Sequence, residues 1–130
     1  MEELRRKFIV EEKMDEKRLS LYVEKCLQFG KVSIDGEIII ERENMSTKDQ
    51  IGLALIMRFL ANRLKEEIPA EVNVKELSQC LSIPKDQVVA RLADLKEEKI
   101  AIRSDKGVYK ANLLQIGKFL ENMENKYGAK

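Results

Sequence analysis

Apolar residues fall into stretches of two different periods along the chain, one helical and one extended. Over 14–29, Leu19, Tyr22, Val23, Cys26 and Leu27 recur at helical spacing, which predicts an amphipathic helix with Gly30 as its C-terminal stop. Helical patterning reaches back toward Glu2, where Leu4, Phe8 and Ile9 share one face, and leaves open whether Val10 to Lys13 interrupts it. Asp35-Gly36 sits between two β-branched runs, which predicts strands near 31–34 and 37–41 joined by a type I′ turn. A lone hairpin is marginal, so this N-terminal unit has to lean on something else.

The support is expected from the next helix. Ser46 and Thr47 offer N-caps, with Asp49 and Gln50 three residues on from each. From Ile51 to Leu64 the apolar residues are too dense for a single stripe, and a helix apolar nearly all round is buried on two sides. We expect a spine with the N-terminal unit on one face and the C-terminal unit on the other. A core helix in a single-layer bundle is the alternative.

Beyond Ile68-Pro69, Glu71-Val72 reads as a short strand, and Asn73 caps a helix through Val74, Leu77 and Leu81, with Glu76 closing a capping box. A tight turn at Leu81-Ser82-Ile83 follows. Pro84 opens a second helix, where its fixed φ suits the first turn. Val88, Leu92 and Leu95 form that helix's apolar face, and it ends near Lys99. The runs 100–103 and 108–111, joined across Ser104 to Gly107, read as a hairpin. In this order of pieces, the stretch 47–111 resembles the winged helix-turn-helix family of small prokaryotic regulators. One departure is Lys99, where many such domains carry Gly.

The resemblance implies a mainly α fold with small β-hairpins (α+β), a winged helix-turn-helix preceded by an N-terminal helix and hairpin. The corresponding units are 1–45 and 46–130. It also implies double-stranded DNA as the partner, with the second helix in the major groove. That would put Lys85, Gln87 and Arg91 near bases or phosphates, and Arg103, Lys106 and Lys110 of the wing against phosphates or the minor groove. The alternative is a winged helix that binds protein in a transcription or replication assembly.

Charge weighs on both sides. Charged residues make up 36% of the 130 residues, yet their net is +1. Over 84–99, Lys85, Arg91, Lys96 and Lys99 cancel against Asp86, Asp94, Glu97 and Glu98, and the face opposite Val88, Leu92 and Leu95 carries Asp86, Ala90, Asp94 and Glu97. The wing is net positive. The first 45 residues hold nine cations against eleven anions, so Arg5-Arg6-Lys7 reads as a solvated helix face rather than a nucleic-acid arm. The abundance of Lys, Glu and Ile resembles thermophilic composition.

No catalytic residue, metal site or cofactor is expected. Histidine is absent, there is no Gly-rich phosphate loop, and neither Cys26 nor Cys80 has a plausible base beside it. The two cysteines read as small buried hydrophobes in a reducing cytosol, with a disulfide left open. No apolar run of about 18 residues and no signal-peptide core is present, so the expected location is cytoplasmic, away from membranes. Finally, Asn112 caps a last helix in which Leu113, Ile116, Leu120, Met123 and Tyr127 form a heptad seam. The seam either docks on the spine helix of the same chain or forms a homodimer interface. The homodimer is the expectation, because small winged-helix regulators of the kind this chain resembles often pair through flanking helices; two-fold symmetry would also place two recognition helices on one side. The 14–29 helix is the rival interface.

Overall fold

The computed structural model describes residues 1–8 and 14–128; Ile9 and the Val10 to Lys13 stretch lie outside the described residues. The first element, α1 (Glu2–Phe8), carries Leu4 and Phe8 largely exposed. The second, α2 (Glu16–Leu27), starts at Asp15, whose carboxylate accepts from the Arg18 amide at 2.8 Å. It ends at Gln28 rather than at Gly30. Gly30 instead opens β1 (Gly30–Val32), where a Cβ would meet the Ile39 carbonyl at 2.2 Å, so the residue is needed for the close approach of two strands.

β1 pairs antiparallel with β2 (Ile38–Ile40), Val32 opposite Ile38. The connection is not the expected type I′ turn. Ser33 N–H donates to the Glu37 carbonyl and Gly36 N–H to the Ser33 carbonyl, which leaves a three-residue loop, 34–36, with Gly36 alone left-handed at φ 91°. This is a type I turn closed by a left-handed glycine, the next most common hairpin solution.

The spine is α3 (Thr47–Leu64), capped by Ser46 Oγ, which accepts from the Asp49 amide at 3.1 Å. Every residue from Ile51 to Leu60 is buried. One side of α3 meets α2, β1 and β2; the rest meets α4, α5, α6 and β5, defined below. The two-sided burial expected from the pattern is therefore present, and the residues on both sides form one continuous core from Cys26 to Met123.

The C-terminal half runs β3 (Val72–Asn73), α4 (Val74–Leu81), α5 (Lys85–Glu97), β4 (Ala101–Asp105), β5 (Val108–Ala111) and α6 (Ile116–Tyr127), the last led in by a 3₁₀ turn over Leu113–Gln115. The three strands form an antiparallel sheet in the order β3-β5-β4. Between α4 and α5 the chain reverses at Ser82, left-handed at φ 56°, while Ser78 Oγ donates to the Ile83 carbonyl at 2.6 Å. Asn73 caps α4 as expected, accepting from the Glu76 amide at 2.7 Å. The Glu76 carboxylate does not return to Asn73; it meets Arg58.

Arg58 is the one cation on the buried stretch of α3, 2% exposed. It donates to the carbonyls of Gly36 (3.0 Å), Pro69 (2.9 Å) and Glu71 (3.2 Å), and its Nη1 also meets the Glu76 carboxylate. A single guanidinium thus ties the first hairpin, the loop after α3 and the start of α4 together.

The last helix corrects an expectation. Ile116, Leu120 and Met123 of the heptad seam are 0, 0 and 1% exposed within a single chain, and Leu113 and Tyr127 pack against the same core. The seam is spent on α2 and α3, because polar anchors at its C-terminal end hold α6 down. The Asp49 carboxylate accepts from Tyr127 Oη at 2.7 Å and Lys126 Nζ at 3.1 Å, Glu124 pairs with Lys25 at 2.6 Å, and Arg42 donates to the Tyr127 carbonyl. Ile116, Leu120 and Met123 are thus covered within the single chain, while Leu113 and Tyr127 lie half-buried against the same core.

Arg58→Met should lower unfolding free energy by about 3 kcal/mol in urea titration, because three buried carbonyls lose their donor. Glu76→Gln should cost less, since Glu76 is one-third exposed (33%). For Asp49, burial pushes the carboxyl pKa up, but the Tyr127, Lys126 and Ser46 hydrogen bonds outweigh it and hold the group below its ordinary value. The folded state is therefore stabilised above the unfolded carboxyl pKa, and this contribution is lost as pH falls through the lower folded value. Asp49→Asn should cost about 1 to 3 kcal/mol near pH 7, with the gap to the parent closing under acid denaturation.

Candidate nucleic-acid interface

The elements that present the candidate residues are α5 and the β4–β5 hairpin. The inward face of α5 is Val88, Leu92 and Leu95, each 0% exposed. Its outward face is Asp86, Val89, Ala90, Ala93 and Glu97, all exposed, with Val89 at 51%. The middle of this face is thus apolar and small rather than basic. Asp94, expected on it, is turned to the flank, where its carboxylate lies 3.1 Å from Arg91 Nε. Arg91 is partly engaged before any ligand arrives. Lys85 and Gln87 stand exposed at the N-terminal end of α5.

The exit from α5 explains the missing glycine of the sequence comparison. Lys99 is left-handed at φ 66°, its N–H donates to the Lys96 carbonyl at 3.0 Å, and the Ile100 N–H donates to the Leu95 carbonyl at 2.9 Å. That pair of bonds is the Schellman ending, in which glycine is favoured at the left-handed residue. The lysine holds the same geometry, and Asn112 Nδ2 donates to its carbonyl at 2.7 Å.

In the hairpin, Ile102 pairs with Lys110 and Arg103 with Tyr109. Successive strand residues face opposite sides, so Arg103 and Lys110 lie on opposite faces and cannot both meet one phosphate strand through one surface. Arg103 and Lys106 are exposed, Lys106 in the tight turn with Gly107 at φ 70°; Lys110 is half-buried. Sequence reasoning left out two cations that the fold brings to Arg103. Lys96 and Lys99 line with it an open concavity of about 450 Å³ at the junction of α5 and β4. The left-handed turn at Lys99 creates this juxtaposition, and the absent glycine was the only sequence signal for that turn.

Pairing changes the local charge balance. Glu98 is neutralised by Lys48 of α3, and Asp94 by Arg91. Among the described residues, Lys85, Lys96, Lys99, Arg103, Lys106 and Lys110 have no ion-pair partner, against Asp86, Glu97 and Asp105. Over 84–111 the sequence count is already positive, seven cations against five anions, and the Lys48–Glu98 pair adds to that excess on the folded surface.

For other chemistry the described residues offer little. No group of three or more His, Cys, Asp and Glu residues is placed to hold a metal ion. Both cysteines are unbonded, and burial pushes the Cys26 thiol pKa up to about 12, which keeps it protonated and unreactive. No described helix is long and apolar enough to cross a membrane.

Lys99→Gly should stabilise the fold by about 1 kcal/mol in thermal or urea unfolding, since the left-handed residue then has no Cβ to strain. Lys99→Val should destabilise it by a similar amount. No protein-family model, curated protein or solved structure matches the chain.

Proposed function

We propose that residues 47–111 form a winged helix-turn-helix and that the protein is a transcriptional regulator binding double-stranded DNA. The order helix, strand, helix, left-handed turn, helix and hairpin, with the sheet order β3-β5-β4, supports the fold reading. The observation that carries the functional reading is the set of six unpaired cations around α5 and the wing. Phosphate neutralisation by such residues supplies most sequence-independent affinity.

The docking differs from the one the resemblance implies. Lys85 and Gln87 enter at the N-terminal end of α5, Arg103 and Lys106 grip the backbone from the wing, and Lys96 and Lys99 add to the Arg103 side. Val89, Ala90 and Ala93 face the base edges, where apolar groups can contact thymine methyls. Arg91 serves less, being held by Asp94.

One observation favours a second reading. The Val89, Ala90 and Ala93 face, bordered by Asp86 and Glu97, is also a surface that a protein partner with an apolar and basic contact would fit.

Fluorescence anisotropy of a labelled mixed-sequence duplex at about 50 and 200 mM salt separates the two readings. Binding should weaken on the order of a hundredfold between these conditions. The double substitution Arg103→Ala with Lys106→Ala should reduce the salt slope by about two and Arg91→Ala should leave it nearly unchanged. Absence of binding at the lower salt rejects the DNA reading and leaves the protein-partner one.

A further inference from the structure

Two apolar surfaces have no partner among the described residues of the chain. One is α1, where Leu4 is 60% and Phe8 89% exposed. The other is a groove of about 320 Å³ between α2, the C-terminal half of α3 and the first hairpin. Its floor is Met57, Leu60 and Ala61; Leu27, Ile34 and Leu64 stand on its rim, 61, 73 and 65% exposed. Lys31 and Lys65 are its only charged lining residues. None of the lining residues belongs to α4, α5 or the wing.

A helix of seven residues is not stable alone in water. Its persistence requires a surface for Leu4 and Phe8, which stand one above the other at i, i+4 and form the kind of ridge an apolar groove accepts. Among the described residues, none of α1 lines the groove of its own chain.

We propose that α1 of one copy docks in the groove of a second copy, and reciprocally, to form a two-fold arm-exchanged dimer. Area supports the second copy as occupant. A buried aromatic or large aliphatic side chain removes on the order of 150 to 250 Å². Leu4, Phe8 and the three rim residues, taken for both arms, give roughly 1,500 Å², the size of a standard specific interface. Because each copy returns its arm to the copy whose arm it receives, the two-fold exchange closes, whereas one-way exchange would run on as an open chain. The dimer uses none of the α6 seam and leaves α5 and the wing uncovered, so it stands independently of DNA binding.

The test is light scattering of the full chain at micromolar concentration without DNA. The expected mass is twice 15.0 kDa. Phe8→Glu on the arm and Leu64→Glu on the groove should each return it to 15.0 kDa. Both positions are exposed, so both variants should fold, which a cooperative thermal transition checks; the far-UV circular dichroism signal should fall by no more than the seven residues of α1. Mixed together, the variants retain one good arm and one good groove between them, and tagged F8E should capture L64E while neither captures itself. A parent mass of 15.0 kDa overturns the proposal. So does a dimer whose mass neither substitution changes. A monomeric parent whose melting temperature falls with Phe8→Glu overturns it in favour of an arm folded onto its own chain.

Discussion

Burying a guanidinium at 2% exposure is tolerable only if each of its nitrogens finds an acceptor, and Arg58 finds them in three carbonyls from two separate pieces of backbone and in one carboxylate. Gly36 comes from the first hairpin, Pro69 and Glu71 from the loop after the spine, Glu76 from the first turn of α4. None of these pieces can shift without stranding a charge in the core. The left-handed Gly36 is placed by the same demand: a Cβ there would lie 3.3 Å from Ile68 and 3.7 Å from the Arg58 guanidinium carbon. The two units inferred from sequence, 1–45 and 46–130, are therefore fastened to each other by a polar contact in addition to the shared apolar core.

Much of this framework was readable in the chain. The caps at Ser46, Asn73 and Asn112 each accept the amide expected of them or its neighbour, because short-range capping depends on residues two or three apart. The density of apolar residues in α3 foretold its two-sided burial. Where the reading failed, the deciding partner was distant in sequence. Gly30 looked like a helix stop, but its constraint is the Ile39 carbonyl across the sheet. Asp35-Gly36 looked like a two-residue turn, but Ser33 and Glu37 close a longer loop. Arg58 was passed over among the apolar residues of its helix, since nothing local announces that four acceptors from elsewhere converge on it.

The heptad seam on α6 shows the same limit more sharply. Spacings of three and four say that a helix has an apolar stripe and do not say whose surface covers it. Here Asp49 decides, an anion in the first turn of α3 that draws in Lys126 and Tyr127 from 77 and 78 residues away. Its position at a helix N-terminus favours the charged form, and the stripe follows its anchors down onto the spine.

Charge obeys the same logic at the candidate interface. Counted along α5, cations and anions cancel; folded, Lys48 reaches from α3 to Glu98 and removes one anion from the balance, while the left-handed turn at Lys99 swings Lys96 and Lys99 toward Arg103. The spine thus acts on the surface chemistry of α5 as well as on its packing. It also floors the apolar groove on its other side with Met57, Leu60 and Ala61, next to Arg58 in the same helix. A partner seated in that groove would therefore press on the same helix against which α5 is packed.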